Sequence, residues 1–179
     1  MPAYRIYEGQ LHFLTSTVVD WIDLFTRFSY AEIVIESLAY CQANKGLRVH
    51  GYVIMPSHIH MIVSHISDGL SSTIRDFKQF TSRAIVQAIR EEPESRRDWL
   101  LKHFSEAAAS NPKVRHAQLW QEGNHAKVCT DYPFTLQKLT YIHENPVKAR
   151  IVCEAHHYVW SSAQDYVGIP GPLPVSLLW

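Results

Sequence analysis

The sequence predicts an α+β domain in which helices cover one face of a mainly antiparallel sheet. Three observations carry this. Short runs rich in strand formers alternate with long segments of helical periodicity. Two of those runs, LRVHGYVIM and HIHMIVS, are separated only by Pro56 and Ser57, a connection that suits an antiparallel hairpin. Finally, 179 residues with 46% apolar and 19% charged side chains can bury one real core, and a second large domain does not fit.

Residues 11–19 (LHFLTSTVV) carry β-branched and aromatic side chains and predict a first strand, followed by a turn region at WIDLF. Residues 30–44 place Ile33, Ile35, Leu38, Ala39 and Cys41 at approximate helical spacing, and Asn44-Lys45-Gly46 supplies a stop. After the hairpin, residues 69–90 set Ile74, Phe77, Phe80, Ala84, Ile85, Ala88 and Ile89 against a basic outer surface, the pattern of an amphipathic helix. A charged, Ala-rich stretch at 91–113, punctuated by Pro93 and Pro112, reads as a helical surface excursion from a single domain spanning 1–179. Residues 119–129 are a candidate strand. Residues 131–150 form a second strong helical pattern, with Thr130 or Asp131 as cap and Pro133 in the first turn. The aromatic tail from 156 to 179 suits packing across the domain, which leaves the sheet face away from the helices as the expected open working surface.

Composition narrows the class. Lys plus Arg (17) equals Asp plus Glu (17), so no global positive field marks a nucleic-acid binder, although a local patch is compatible with the balance. Eleven histidines are the outlier, a side chain that titrates near neutrality and ligates metals. The three cysteines, Cys41, Cys129 and Cys153, have no C-x-x-C spacing and fit a reducing compartment; a zinc ribbon is excluded. With no signal-like N-terminus and no long uncharged apolar stretch, a cytoplasmic protein with no membrane partner is expected.

Two segments carry chemistry. In HIHMIVS, strand alternation puts His58, His60 and Ile62 on one side and Ile59, Met61 and Val63 on the other, the core side. Two imidazoles at i and i+2 can converge on one metal ion; the plainer reading is a pair of half-exposed strand histidines. In QKLTYIHENPVKAR, Lys138, Tyr141, Asn145 and Lys148 recur at spacings of 3, 4 and 3 and form one polar stripe. A phenol can attack a phosphodiester, an amide oxygen can complete a metal site, and ammonium groups can hold a nucleic-acid backbone. Tyr141 also reads as an amphipathic residue at a helix edge. Asn145 stands directly before Pro146, so it reads as a cap for a new helical turn, as a ligand, or as both. Lys78, Arg83, Lys138 and Lys148 are backbone-contact candidates, the alternative being ordinary solvated charges.

The pieces GYVIMPSHIHMIVS, FKQFTSR, YIHENPVKARIV and YVWSSAQDY, in that order across residues 51–166, resemble the single-tyrosine HUH transposases, close to the REP-associated tyrosine transposases. The resemblance implies a ferredoxin-like sandwich that cuts and rejoins single-stranded DNA through a 5′-phosphotyrosine. It matches His58 and His60 to the metal-ligand histidines, Tyr141 to the nucleophile, and Asn145 to the polar residue that completes the site for Mg²⁺ or Mn²⁺. It further implies a DNA partner with hairpin structure. Members of the wider family form dimers and some REP-associated relatives act as monomers, so a monomer and a homodimer are both expected states. One departure stands out: the family commonly has Gly after NPVKA, whereas this chain has Arg150, which puts the helix cap in question or adds a phosphate contact. Two other functions compete, a non-cleaving nucleic-acid-binding protein derived from such a transposase and a metal-dependent phosphodiesterase that activates water.

Overall fold

A computed structural model of the chain describes residues 6–114 and 116–179. Among these residues four strands and four α-helices follow one another as β1 (His12–Thr17), α1 (Phe28–Asn44), β2 (Leu47–Met55), β3 (His58–His65), α2 (Leu70–Glu91), α3 (Arg97–Ala109), β4 (Lys127–Val128) and α4 (Tyr132–Lys148). The sheet order is β2-β3-β1-β4 and every pairing is antiparallel. This β1-α1-β2-β3-α2-β4 path with β3 inserted between β1 and β2 is the ferredoxin-like sandwich expected from the sequence.

Face assignment follows from the pairings, because directly opposed residues share a face. Ile59, Met61 and Val63 are fully buried on the side covered by α1 and α2. His65 on that side meets α2, its Nε2 lying 3.5 Å from Thr73 Oγ1. The apolar stripe of α2 buries Ile74, Phe77, Ile85 and Ile89 as its periodicity predicts, while Phe80 faces solvent and Thr81 takes the inward place between Phe77 and Ile85. Beyond α2, the expected strand at 119–129 is reduced to the two residues of β4 and an isolated bridge between Val18 and Trp120.

The face bearing His58 and His60 is not the open surface that the sequence suggested. A bulge at His50 shifts the β2 register from Val49↔Val63 to Gly51↔Ile62, which turns Gly51 onto this face. A Cβ on Gly51 would come within 2.5 Å of Leu139 Cδ1, so the missing side chain lets α4 lie directly on the sheet. The tail then runs along the free edge of β2, with Ile54 N–H donating to Trp160 O at 2.8 Å and Ser162 N–H to Tyr52 O at 3.0 Å. The edge is thereby covered. No helix among the described residues is long and apolar enough to cross a membrane, and Cys41, Cys129 and Cys153 are all unbridged.

Candidate active site

The exposed end of this half-covered face gathers a row of rings. Thr17, Thr15 and Phe13 on β1 lie opposite His58, His60 and Ile62 on β3. The His58 and His60 rings stand 4.7 Å apart, and Phe13 stacks on His60 at 5.4 Å. From α4, the Tyr141 ring comes edge-on to His60 at 5.1 Å, and its hydroxyl lies 3.4 Å from His60 Nε2. The helix that delivers the phenol is started by Asp131, whose Oδ1 accepts from Phe134 N–H at 2.8 Å, and is seated by Leu139 over Gly51. His143, one residue pair further along, bonds through Nε2 to Ser162 Oγ at 2.9 Å and ties α4 to the tail.

Burial keeps both imidazoles neutral. His60 is only 6% exposed, and burial, aided by His58 and Lys138, pushes its pKa down to about 3. Burial also lowers His58. Thr15 Oγ1 lies 2.8 Å from His60 Nδ1; with Nδ1–H donating to that hydroxyl, Nε2 keeps its lone pair facing Tyr141. Ser57 Oγ lies 3.1 Å from His58 Nδ1 in the same way. A neutral imidazole whose Nδ1 is bonded to a hydroxyl and whose Nε2 keeps its lone pair is in the protonation state a metal ligand needs. Tyr141 remains 40% exposed, reachable from solvent.

Of the residues singled out from sequence, His58, His60, Tyr141, Lys138 and Lys148 come together. Lys138 Nζ sits 5.2 Å from the Phe13 ring centre and 5.8 Å from that of Tyr141, and Lys148 Nζ lies 5.9 Å from that of Tyr141. Asn145 is half-buried one turn after Tyr141, inside α4. It caps no new turn, because the helix runs through Pro146 and Ala149 N–H donates to Asn145 O at 3.0 Å. Lys78 and Arg83 belong elsewhere, to a groove between α2 and the segment before β4 that Arg75, Arg90 and Lys113 also line. There Lys78 Nζ donates to Gln121 O and Gly123 O at 2.9 Å and to Asn124 Oδ1 at 3.3 Å, and burial lowers its pKa to about 8. Its ammonium therefore pins the loop before β4, while Arg83 is exposed.

Three features escaped the sequence. Thr15 orients His60 only because the β1–β3 register sets them opposite each other, which neither strand reveals alone. Trp21 lies edge-on to His58 at 5.3 Å. Glu154, His156 and His157, on the turn after α4, bring three ligating atoms within 4.8 Å of one another and form a second, more exposed group able to hold a cation. Their clustering in sequence was the available signal.

The same fold occurs in a solved REP-associated tyrosine transposase bound to a REP hairpin, at 17% identity and a TM-score of 0.67 over 100% of this chain and 94% of that one. A candidate transposase from Deinococcus radiodurans R1 aligns at 16% identity and a TM-score of 0.44, over 81% of this chain and 97% of the other. No family model matches the sequence, and no curated protein matches it.

Proposed function

We propose that the chain is a single-tyrosine HUH strand transferase, close to the REP-associated tyrosine transposases, that cuts and rejoins single-stranded DNA carrying a hairpin, with residues 1–179 acting as one catalytic domain. The observation that carries this reading is the meeting of Tyr141 with His60 and its neighbour His58, a helix and a strand 81 positions apart in sequence. The fold shared with a transposase solved on a hairpin supports the DNA substrate.

In this reading Tyr141 Oη attacks the scissile phosphorus as its phenolic proton passes to water, the P–O3′ bond breaks, and the strand leaves as a 3′-OH that takes a proton from water. The 5′-phosphotyrosine retains the bond energy, so a second 3′-OH reverses the step and joins a new end without a nucleotide cofactor. His60 is too weak a base to remove the phenolic proton; its Nε2 faces the hydroxyl and is the nitrogen that would ligate an ion, so it brings the phenol and the ion site together. Lys138 and Lys148 stand near the ring and offset the negative charge that develops on the phosphate oxygens. Arg83, in the separate groove, meets the backbone farther along the DNA.

His58, His60 and Asn145 are the residues that would hold a divalent ion. Two neutral nitrogen donors fit one, and of Mg²⁺ and Mn²⁺ the second tolerates imidazole better. Such an ion supplies Lewis-acid polarisation of the phosphate when bound. The test is incubation with Mn²⁺ and a single-stranded hairpin oligonucleotide, read on a denaturing gel. A covalent protein–DNA band is expected for the wild type. Cleavage without that band assigns the nucleophile to water, and binding without cleavage assigns the chain to a non-cleaving binder.

A further inference from the structure

We propose that Trp21 is a base-stacking platform that receives an unpaired nucleobase close to the phosphate attacked by Tyr141. The proposal rests on the strand-transferase reading and assigns that site its first nucleobase contact.

The turn between β1 and α1 is built against local preference. Asp20 and Trp21, consecutive and neither of them glycine, hold φ at 50° and 57°, a region that disfavours L-residues by about 1–2 kcal/mol each. Apolar burial accounts for the neighbours: Val19, Ile22, Leu24 and Phe25 are all buried in the core. It does not account for Trp21, whose side chain is left 59% exposed by the same turn. The strained geometry therefore directs a large ring outward, at a site where chemistry is proposed, and strain of this kind concentrates at ligand clamps.

Where the indole stands decides what it can meet. It lies 5.3 Å from the ring of His58, which lies 4.7 Å from that of His60, which touches Tyr141. A strand with its phosphate at Tyr141 and its backbone drawn past the two histidines brings a base about one or two nucleotides along to the indole. Unpaired bases of any identity present a π face, so a rigid exposed indole suits them.

The platform is held from outside the turn by the excursion at 91–113, which includes α3. His103 Nε2 meets Asp20 Oδ2 at 2.6 Å, Arg96 Nη1 donates to Asp23 Oδ1 at 2.6 Å, and Arg27 pairs with Glu94 at 3.4 Å. Two of these three links grip the segment on either side of Trp21, and a side chain already ordered loses less freedom on binding. The helical excursion read from sequence thus acquires a positioning role.

The test compares the full-length wild type with Trp21→Phe, Trp21→Ala and Trp21→Gly. Each is titrated in EDTA with a hairpin oligonucleotide bearing a single-stranded flank, and with the same hairpin bearing an abasic flank. On the base-bearing probe, Trp21→Ala and Trp21→Gly are expected to bind about 5- to 150-fold more weakly, with Trp21→Phe between them and the wild type. On the abasic probe all four proteins should bind alike. Glycine relieves the left-handed strain that alanine keeps, so Trp21→Gly should melt above Trp21→Ala while binding no better, which separates a lost contact from a damaged fold. Equal affinity of wild type and Trp21→Gly for the base-bearing probe, or a change in oligomeric state in place of a change in affinity, overturns the platform; the adduct assay then still reports on Tyr141. A wild type that neither binds the hairpin nor forms the adduct removes the strand-transferase reading and the platform together.

Discussion

Arg150 shows how much one side chain can strain. It closes α4 with φ at 58°, its N–H donating to Val147 O and the next N–H, of Ile151, reaching back to Pro146 O, both at 2.9 Å. This two-bond closure is the one that glycine ordinarily serves. The departure noted in the sequence thus leaves the cap intact and stores strain in it. Relief of about 1–2 kcal/mol, less the extra freedom glycine gives the unfolded chain, predicts that Arg150→Gly stabilises by about 0.5–1 kcal/mol. Arg150→Ala, which keeps a Cβ, should not. A melting temperature that fails to rise in the glycine variant contradicts this account of the cap. The special position was legible from sequence as a missing glycine, whereas the strain at Asp20 and Trp21 was not, since nothing in VVDWID announces a left-handed pair.

The docking of α4 governs where Tyr141 points, and two contacts control it. Gly51→Ala would drive a Cβ to 2.5 Å from Leu139 Cδ1. Overpacking of this kind costs about 1–3 kcal/mol, and the helix should lift, taking adduct formation down with stability. Leu139→Ala in the same chain opens the space and should restore part of the activity; if the double variant is no better than Gly51→Ala, the steric account fails. The second contact is pH-sensitive. Burial pushes His143 down from 6.5 to about 4. Above pH 6.5 it is neutral in both folded and unfolded chains; between 6.5 and 4 the unfolded chain takes up the proton first, so stability falls as pH falls through that window. At about 1.4 kcal/mol per unit the loss is at most about 3.5 kcal/mol. Other buried histidines add to the wild-type slope, so the expected result is a shallower fall in melting temperature for His143→Gln; an unchanged profile contradicts it. Periodicity located α4 within a residue or two, and alternation placed His58 and His60 on one face of β3. The bulge that turns Gly51 under α4 breaks that alternation in β2, and a period-two reading cannot see it.

Across the molecule, the βαββαβ order and the hairpin were readable because each rests on local patterning. The covering of the second sheet face was not, because it depends on contacts between α4, the tail and β2 that are distant in sequence. The same holds for Lys78, whose place on a basic helix suggested a phosphate contact and whose ammonium instead binds the loop at 121–124. The ligating trio Glu154, His156 and His157 means that a cation titration of the whole protein reports two candidate groups, so metal binding alone does not test the site. What does is the identity of the attacking oxygen. Protein incubated with Mn²⁺ and the hairpin oligonucleotide, digested with protease and nuclease, should yield one peptide carrying a nucleotide 5′-phosphate, and fragmentation should put it on Tyr141, with Tyr141→Phe giving none. A phosphotyrosine mapped to Tyr132 or any other position, or an adduct that survives in Tyr141→Phe, contradicts the proposed site.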